Sequence, residues 1–408
     1  MNVILSFGMG VESSALLLRW LEEPEVCGFD LERELIVITA QTGGEYPDTA
    51  ALCETHLLPR LRRRRVRFVQ VARAGHLEAD GIAVLSDTRF PNRLCLEGAY
   101  TLSEELRAAG TVPQFSGERR CSLKFKAWVI ETWLARELAG QSFHHAFGFN
   151  ADEQARIAKS EQAFALREPE PVRVAFGFNC DETTRIERAT QYDTPLRQGW
   201  YPLAEWGWSR ERCRDYLQAV TGANWQKSAC VYCPFNALKP DAIARLRQFP
   251  AHVAEALLLE HQSLALNPRG SLYRDRTLHS LTVEHQLEEA LLSFQQRLAA
   301  AEYALYRVRR IYQAPGAAHR AVEKLQTGSY DEMVTQFALL SERCEVRNEH
   351  SIRYGYVRER VNGCYPTVEE FFVVAPAAVE SKTRYGFAWF EARWRAALGE
   401  SLQEKLFA

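Results

Sequence analysis

The first 240 residues predict an α/β fold with a doubly wound, mainly parallel sheet. Two observations carry that expectation. Short apolar runs alternate with stretches whose apolar residues recur at helical spacing, and the early runs end in glycine-rich turns. Residues 2–7 form the first apolar run and end in Gly8-Met9-Gly10; residues 11–21 then show the helical period. Residues 34–40 (ELIVITA) read as a second buried strand, followed by the turn Thr42-Gly43-Gly44-Glu45-Tyr46-Pro47. A helix is expected from about Asp48, ended by Pro59, and residues 66–71 read as a third strand. Ligands in such sheets bind at the carboxyl ends of the strands, where both glycine-rich turns fall.

The octapeptide starting at Ala146 recurs, with one substitution, from Ala175, and Arg156 and Arg185 stand three places after the Glu of each copy. One duplicated element is not a solenoid. From about Pro240 the texture changes. Residues 251–266 and 283–312 read as helices, the latter with a stripe of Leu287, Leu291, Phe294, Leu298, Leu305, Val308 and Tyr312 that suits a packing face. Residues 371–374 look strand-like and 387–398 form an aromatic helical pattern. The expected organisation is an α/β domain over 1–240 that ends in the Cys-x-x-Cys segment, and a mainly helical region over 241–408 that carries no motif.

Composition bounds the function. The 408 residues are 47% hydrophobic and 25% charged, ordinary for a globular chain. With 50 basic and 52 acidic side chains the net charge is −2, which excludes a globally basic nucleic-acid coat but not a local patch. No apolar run approaches the roughly 18 residues of a membrane span, and no signal peptide opens the chain. Ten Cys without a secretory signal argue for buried thiols plus a metal site in a reducing, cytoplasmic setting.

The first loop, Ser6-Phe7-Gly8-Met9-Gly10-Val11-Glu12-Ser13-Ser14, leaves a strand and opens a helix. Free N–H groups at a helix start favour an anion, and glycine lets the backbone approach a phosphate. The hydroxyls of Ser6, Ser13 and Ser14 can donate to phosphate oxygens. No Gly-Lys-Ser/Thr follows, so this is not a Walker loop. Ser13 stands where the dinucleotide fingerprint needs its third glycine. An ordinary serine-capped turn explains the loop equally well on its own.

The loop resembles the PP-loop of the ATP pyrophosphatases, in the branch that includes PAPS reductase; it is two residues longer, and Glu12 replaces the usual Asp. Four further segments are similar to that family in the same order: Gln41-Thr42-Gly43-Gly44-Glu45-Tyr46-Pro47-Asp48-Thr49, with Gln41 for Asp; Arg119-Arg120-Cys121-Ser122-Leu123-Lys124-Phe125-Lys126; the Asp-Glu-x-x-Arg of the repeats, preferably Gly177, Asp181, Glu182 and Arg185; and 201–234, which ends in Cys230-Val231-Tyr232-Cys233-Pro234. Together they span over half the chain.

The resemblance implies ATP held by Ser6, Phe7, Gly8, Gly10, Ser13 and Ser14. It also implies Gln41, Thr42 and Gly43 near the adenosine, and Gly177, Asp181, Glu182 and Arg185 at the nucleotide. Glu12, Ser13, Arg120 and Lys126 are the expected catalytic set. The reaction implied is ATP cleavage to AMP and pyrophosphate with Mg²⁺, for which Glu12 and Glu45 are the nearest acidic groups, coupled to sulfur transfer onto a nucleic acid (DNA or tRNA). A sulfur donor such as a cysteine desulfurase and a second copy of the chain are the other implied partners, and no membrane is. Cys230 and Cys233, with Cys121 and Cys213, could hold a [4Fe–4S] cluster or Zn²⁺. Cys180 is a rival ligand, a three-Cys cluster is another arrangement, and unligated buried thiols are the plain alternative.

Two rival functions stand beside this one. A PAPS or adenylylsulfate reductase is disfavoured, because its class uses a catalytic Cys near the C-terminus and no Cys follows Cys364 here. A non-catalytic nucleotide-sensing or assembly subunit, as in a phage-defence operon, is the other. The basic run of Arg60, Arg62, Arg63, Arg64, Arg65 and Arg67 reads as a solvated helix end, with phosphate contact as the rival. His144-His145 and the Trp200, Trp206, Trp208 and Trp225 group read as packing.

Overall fold

The computed structural model describes residues 2–113, 119–137, 143–146, 172–175, 180, 197–236 and 240–399. The chain divides into two compact units, Met1–Ser103 with Ser116–Cys233, and Glu104–Phe115 with Pro234–Ala408. Residues 104–115, expected in the first domain, thus group with the second.

The first unit is α/β. It contains β1 (Asn2–Ser6), α1 (Val11–Glu22), β2 (Leu35–Gln41), α2 (Pro47–Leu52), α3 (Leu58–Arg63), β3 (Arg67–Arg73) and β4 (Ile82–Thr88). α4 (Leu102–Ala109) begins in it; α5 (Arg120–Ser122), α6 (Trp128–Glu137), β5 (Phe143–Ala146), β6 (Val172–Ala175), β7 (Arg197–Trp200), α7 (Pro202–Glu205) and α8 (Arg210–Thr221) follow. The main sheet has the order β4-β3-β2-β1-β5, and β6 and β7 form a separate parallel pair. All neighbours in the main sheet are parallel except β3–β4. The order reverses beside β1, so a crevice is expected at the carboxyl end of that strand.

Strand alternation distributes the core. Val3, Leu5, Leu35 and Val37 pack against Leu16, Leu17 and Trp20 of α1, while Ile4, Ile36, Ile38, Val69 and Val71 pack against Val129, Ile130 and Trp133 of α6. Both faces are covered, which is why these strands read as continuous apolar runs. Each such side chain contributes about 1.5–3 kcal/mol by leaving water. Pro59 does not end the second helical segment. The backbone takes a π turn at Cys53–Leu57 and resumes as α3, with Pro59 at its first turn, where a missing N–H costs nothing. A second π turn, Leu123–Ala127, joins α5 to α6.

The second unit is not mainly helical. It comprises α9 (Pro240–Gln248), α10 (Pro250–Leu266), α11 (Leu278–Glu284), α12 (Glu288–Ala299), β8 (Tyr303–Ala314), β9 (Ala317–Gly328), α13 (Tyr330–Ser341), β10 (Glu345–Glu349), β11 (Ile352–Arg358), β12 (Thr367–Pro376), β13 (Lys382–Thr383) and α14 (Phe387–Ala397). Its sheet runs β10-β11-β12-β8-β9-β13 with antiparallel neighbours. The expected long helix over 283–312 is the main correction. Leu287, Leu291, Phe294 and Leu298 fall in or beside α12, but Leu305, Val308 and Tyr312 belong to β8. Their spacing imitates a helical stripe, whereas the Tyr, Val and Ile content of 303–312 suits a strand.

Candidate functional site

The phosphate-loop candidate lies at the carboxyl end of β1. The Phe7 N–H donates to the Ile38 carbonyl at 2.7 Å and ties the start of the loop to β2. Met9 is buried with φ +59°, a left-handed conformation that costs energy for a side-chain residue and marks a constrained turn. Gly10 then caps α1 from an extended conformation, and no side chain satisfies the helix start. The Ser13 hydroxyl donates to the Gly10 carbonyl at 3.3 Å. Gly8 is exposed, and a Cβ added there would meet nothing.

The second glycine turn follows β2 and is bound to residues 228–232, which act as a strap. The Ser228 hydroxyl donates to the Gly8 carbonyl at 2.7 Å. Cys230 forms an antiparallel bridge with Glu45, and the Val231 N–H donates to the Gly44 carbonyl at 3.0 Å. The Thr42 hydroxyl and the Cys230 thiol lie 3.2 Å apart. Gly44 is required by this contact, since a Cβ there would strike the Tyr232 hydroxyl. Gly43 is left-handed, with φ +80°, and a side chain there would also strike Thr101. The strap therefore joins both glycine turns.

Charge gathers at the same place. Lys126 Nζ meets the buried Glu45 carboxylate at 3.0 Å. Burial works against the Lys126 ammonium, but the Glu45 carboxylate beside it outweighs that cost, so its pKa is raised. Burial, and then Glu45, push the Cys230 thiol well up; burial, and then Cys233, raise Cys121. These thiols are held protonated. Glu12 is ion-paired with Arg210 of α8. Arg120 is exposed at the start of α5.

Several buried polar atoms here have no protein partner. Ser14 and Gln41 are 0% exposed and Thr39 is 1% exposed. The Ser14 hydroxyl, the Thr39 hydroxyl, both amide atoms of Gln41 and one Glu45 carboxylate oxygen make no hydrogen bond. By alternation Thr39 and Gln41 share the face of β2 that Leu35 and Val37 present to α1, the helix that carries Ser14. Leaving such a group unsatisfied costs about 1–3 kcal/mol, so a cluster of them at one strand end points to a ligand.

The structure brings together much of the expected set. Ser6, Phe7, Gly8, Gly10, Ser13 and Ser14 form the first loop, and Gln41, Thr42 and Gly43 lie beyond the neighbouring strand. Lys126, Cys121, Cys230 and Cys233 share one electrostatic neighbourhood. Gly177, Asp181, Glu182 and Arg185 lie outside the described residues. Cys213 does not join the other cysteines: it is buried with Leu217 in the apolar cluster shared by α1 and α8. Among the described residues no group of three or more His, Cys, Asp or Glu is arranged to hold a metal. Of the four expected cysteine ligands, Cys213 is thus a core residue, while Cys121, Cys230 and Cys233 stay in one neighbourhood.

The arginine run is structural. Arg60 and Arg63 pair with Glu22, Arg65 with Glu32, and Arg67 with Asp87 and Glu137. Arg64 donates to the Leu21 carbonyl at 3.0 Å, and Arg62 to that of Pro91 at 2.9 Å. Trp206 and Trp208 pack around the Arg19 guanidinium, and Trp200 stacks on Trp20. Arg73 is a residue the sequence reading missed. It is fully buried at the carboxyl end of β3, lies over Phe125 and Trp128, and keeps one guanidinium nitrogen without a partner. Its signal was a charge at the carboxyl end of a mostly apolar strand, where ligands of such sheets bind. No family model, curated protein or solved structure matches the chain.

Proposed function

We propose that the first unit is a doubly wound PP-loop domain that binds ATP and cleaves it between the α and β phosphates. The observation that carries this reading is the set of buried, unpartnered polar groups — Ser14, Thr39 and Gln41 — beside the uncapped start of α1. The N–H groups at that helix start and the Ser13 hydroxyl would bind phosphate oxygens. The Gln41 amide offers one donor edge and one acceptor edge, which suits the rim of a purine. Lys126 and Arg120 would neutralise charge on the phosphates. The open Glu45 oxygen would help hold the Mg²⁺ that accompanies ATP and neutralises its charge.

In the reaction an acceptor oxygen forms a bond to the α phosphorus, and the bond to the β-bridging oxygen breaks. The electron pair leaves with pyrophosphate, and the acceptor becomes adenylated. Positioning and charge neutralisation carry such a step. The family resemblance adds sulfur transfer onto a nucleic acid as the step that consumes the adenylate, with the sulfur delivered by a separate donor.

Product analysis tests the reading. ATP and Mg²⁺ are incubated with the full chain, with and without single-stranded oligonucleotide, and adenine nucleotides and phosphates are separated. Pyrophosphate matched by an equal amount of AMP, free where water is the acceptor or attached to the oligonucleotide, and lost in Lys126→Gln, supports it. ADP and phosphate would place cleavage elsewhere and overturn it. Bound but uncleaved ATP in both mixtures would overturn the enzymatic part in favour of nucleotide sensing.

A further inference from the structure

α14 has two aromatic faces. Phe390 and Trp394 are buried and pack on Ile311 and Ala321 of the second unit's sheet. Trp389 is only half-buried: it packs against the edge of this cluster and also meets His319 of β9 and Tyr385, which is 50% exposed. The three rings are mutual neighbours. Trp389 lies 4.7 Å from Tyr385 and 4.8 Å from His319, and His319 lies 5.7 Å from Tyr385. Their planes are inclined by 55°, 74° and 61°. They form a partly exposed cup at the rim of that core cluster.

Two exposed guanidiniums complete the patch. Arg384 lies 5.1 Å from the centre of the Tyr385 ring, and Arg393 lies 5.3 Å from that of Trp389. Among the described residues neither has a carboxylate partner, whereas the acidic neighbours Glu380 and Glu391 are paired with Lys324 and Arg309. Local charge is therefore positive on a chain whose net charge is −2. The pairing decides what the cup takes. An aromatic cup alone suits a cationic guest, but guanidiniums over the rings repel one. Flat rings with free cations suit a ligand that is itself flat and anionic.

We infer that His319, Tyr385 and Trp389, flanked by Arg384 and Arg393, form a stacking platform for single-stranded nucleic acid. Bases stack on Trp389 and Tyr385, and the two arginines meet the phosphates of adjacent nucleotides. A duplex hides its base faces and cannot use the rings. As the acceptor of the proposed adenylation this strand rests on that reading; its binding does not.

The test is fluorescence anisotropy with a labelled oligo(dT) of roughly 16 nucleotides, without ATP. The parent chain binds it, and a DNA hairpin of the same length with a self-complementary stem binds at least tenfold more weakly. Tyr385→Ala, an exposed position, weakens binding about tenfold, in line with one lost stack. Arg384→Glu with Arg393→Glu weakens it further and flattens the salt dependence. No binding by the parent, equal binding of the hairpin, or an unchanged affinity in Tyr385→Ala and the double arginine variant would each overturn the platform. Release of AMP without oligonucleotide stays at the parent level in Tyr385→Ala, so failure of the platform and failure of the ATP reading are distinguishable.

Discussion

The two units treat buried polarity in opposite ways. In the second, buried charges are matched. Glu369 takes Arg310 from the directly opposite position on β8 at 2.6 Å and also meets Arg269 and Tyr312. Arg309 holds Glu323 and Glu391, and Glu260 accepts N–H bonds from Leu272, Leu278 and His279. In the first unit, polar groups of Ser14, Thr39 and Gln41 stay unmatched at the strand ends. Matched burial fixes a fold, whereas unmatched burial at one spot reserves capacity for something else. The second unit has exceptions to the contrast: both amide atoms of Gln262, one guanidinium nitrogen each of Arg107 and Arg360, and the Thr383 hydroxyl have no partner.

Breaking a matched group gives the largest expected effect. Arg310→Ala leaves Glu369 short of its closest cation and is expected to cost about 3–5 kcal/mol in denaturant unfolding. ATP affinity of the folded variant stays at the parent level. A smaller loss shows the network to be over-determined by Arg269.

Acid gives the next effect. Burial lowers the pKa of His261 to about 4, against an ordinary value of 6.5. The unfolded chain therefore takes up a proton that the folded one refuses between those two values. This stability is complete above pH 6.5 and is lost as pH falls toward 4, by about 2–3 kcal/mol. His261→Phe should flatten the stability profile in that window. The ring sits 5.8 Å from Phe294, so the substituted ring has an aromatic neighbour to pack on.

The strap should respond more mildly. Cys230→Ala removes the sulfur beside Thr42 and is expected to cost about 1 kcal/mol. The thermal midpoint and the ATP affinity, measured together, show whether the strap supports the glycine turns. The smallest effect belongs to the exposed arginine run. Arg63→Ala breaks a contact with Glu22 that Arg60 also makes, and should change stability by less than about 0.5 kcal/mol.

The sequence made the first unit readable because its signals are local. β1 and β2 are nearly unbroken apolar runs, β3 is apolar but for Gln70 and its terminal arginines, and the loop between β1 and α1 announces itself by glycine and serine. The second unit hid its sheet. β8 carries Arg307, Arg309 and Arg310, whose partners Glu323, Glu369, Glu370 and Glu391 stand 14 to 82 residues away. No window along the chain shows that pairing, and Leu305, Val308 and Tyr312 happen to sit at helical spacing. Cys213 misled in the reverse direction. Its motif neighbourhood suggested a ligand, but its position on α8 turns it into the core with Leu217. The strap also escaped notice, since its bonds to Gly8 and Gly44 join positions 220 and 187 residues apart in sequence.

Calorimetric titration of ATP into the parent chain and into Gln41→Leu tests the central claim most directly. Leucine is close in size and removes two buried polar atoms that have no partner, so the thermal midpoint should hold or rise. The account predicts one ATP per parent chain and at least tenfold weaker binding in the variant. Equal affinity in the two proteins, or no heat with the parent, would contradict it.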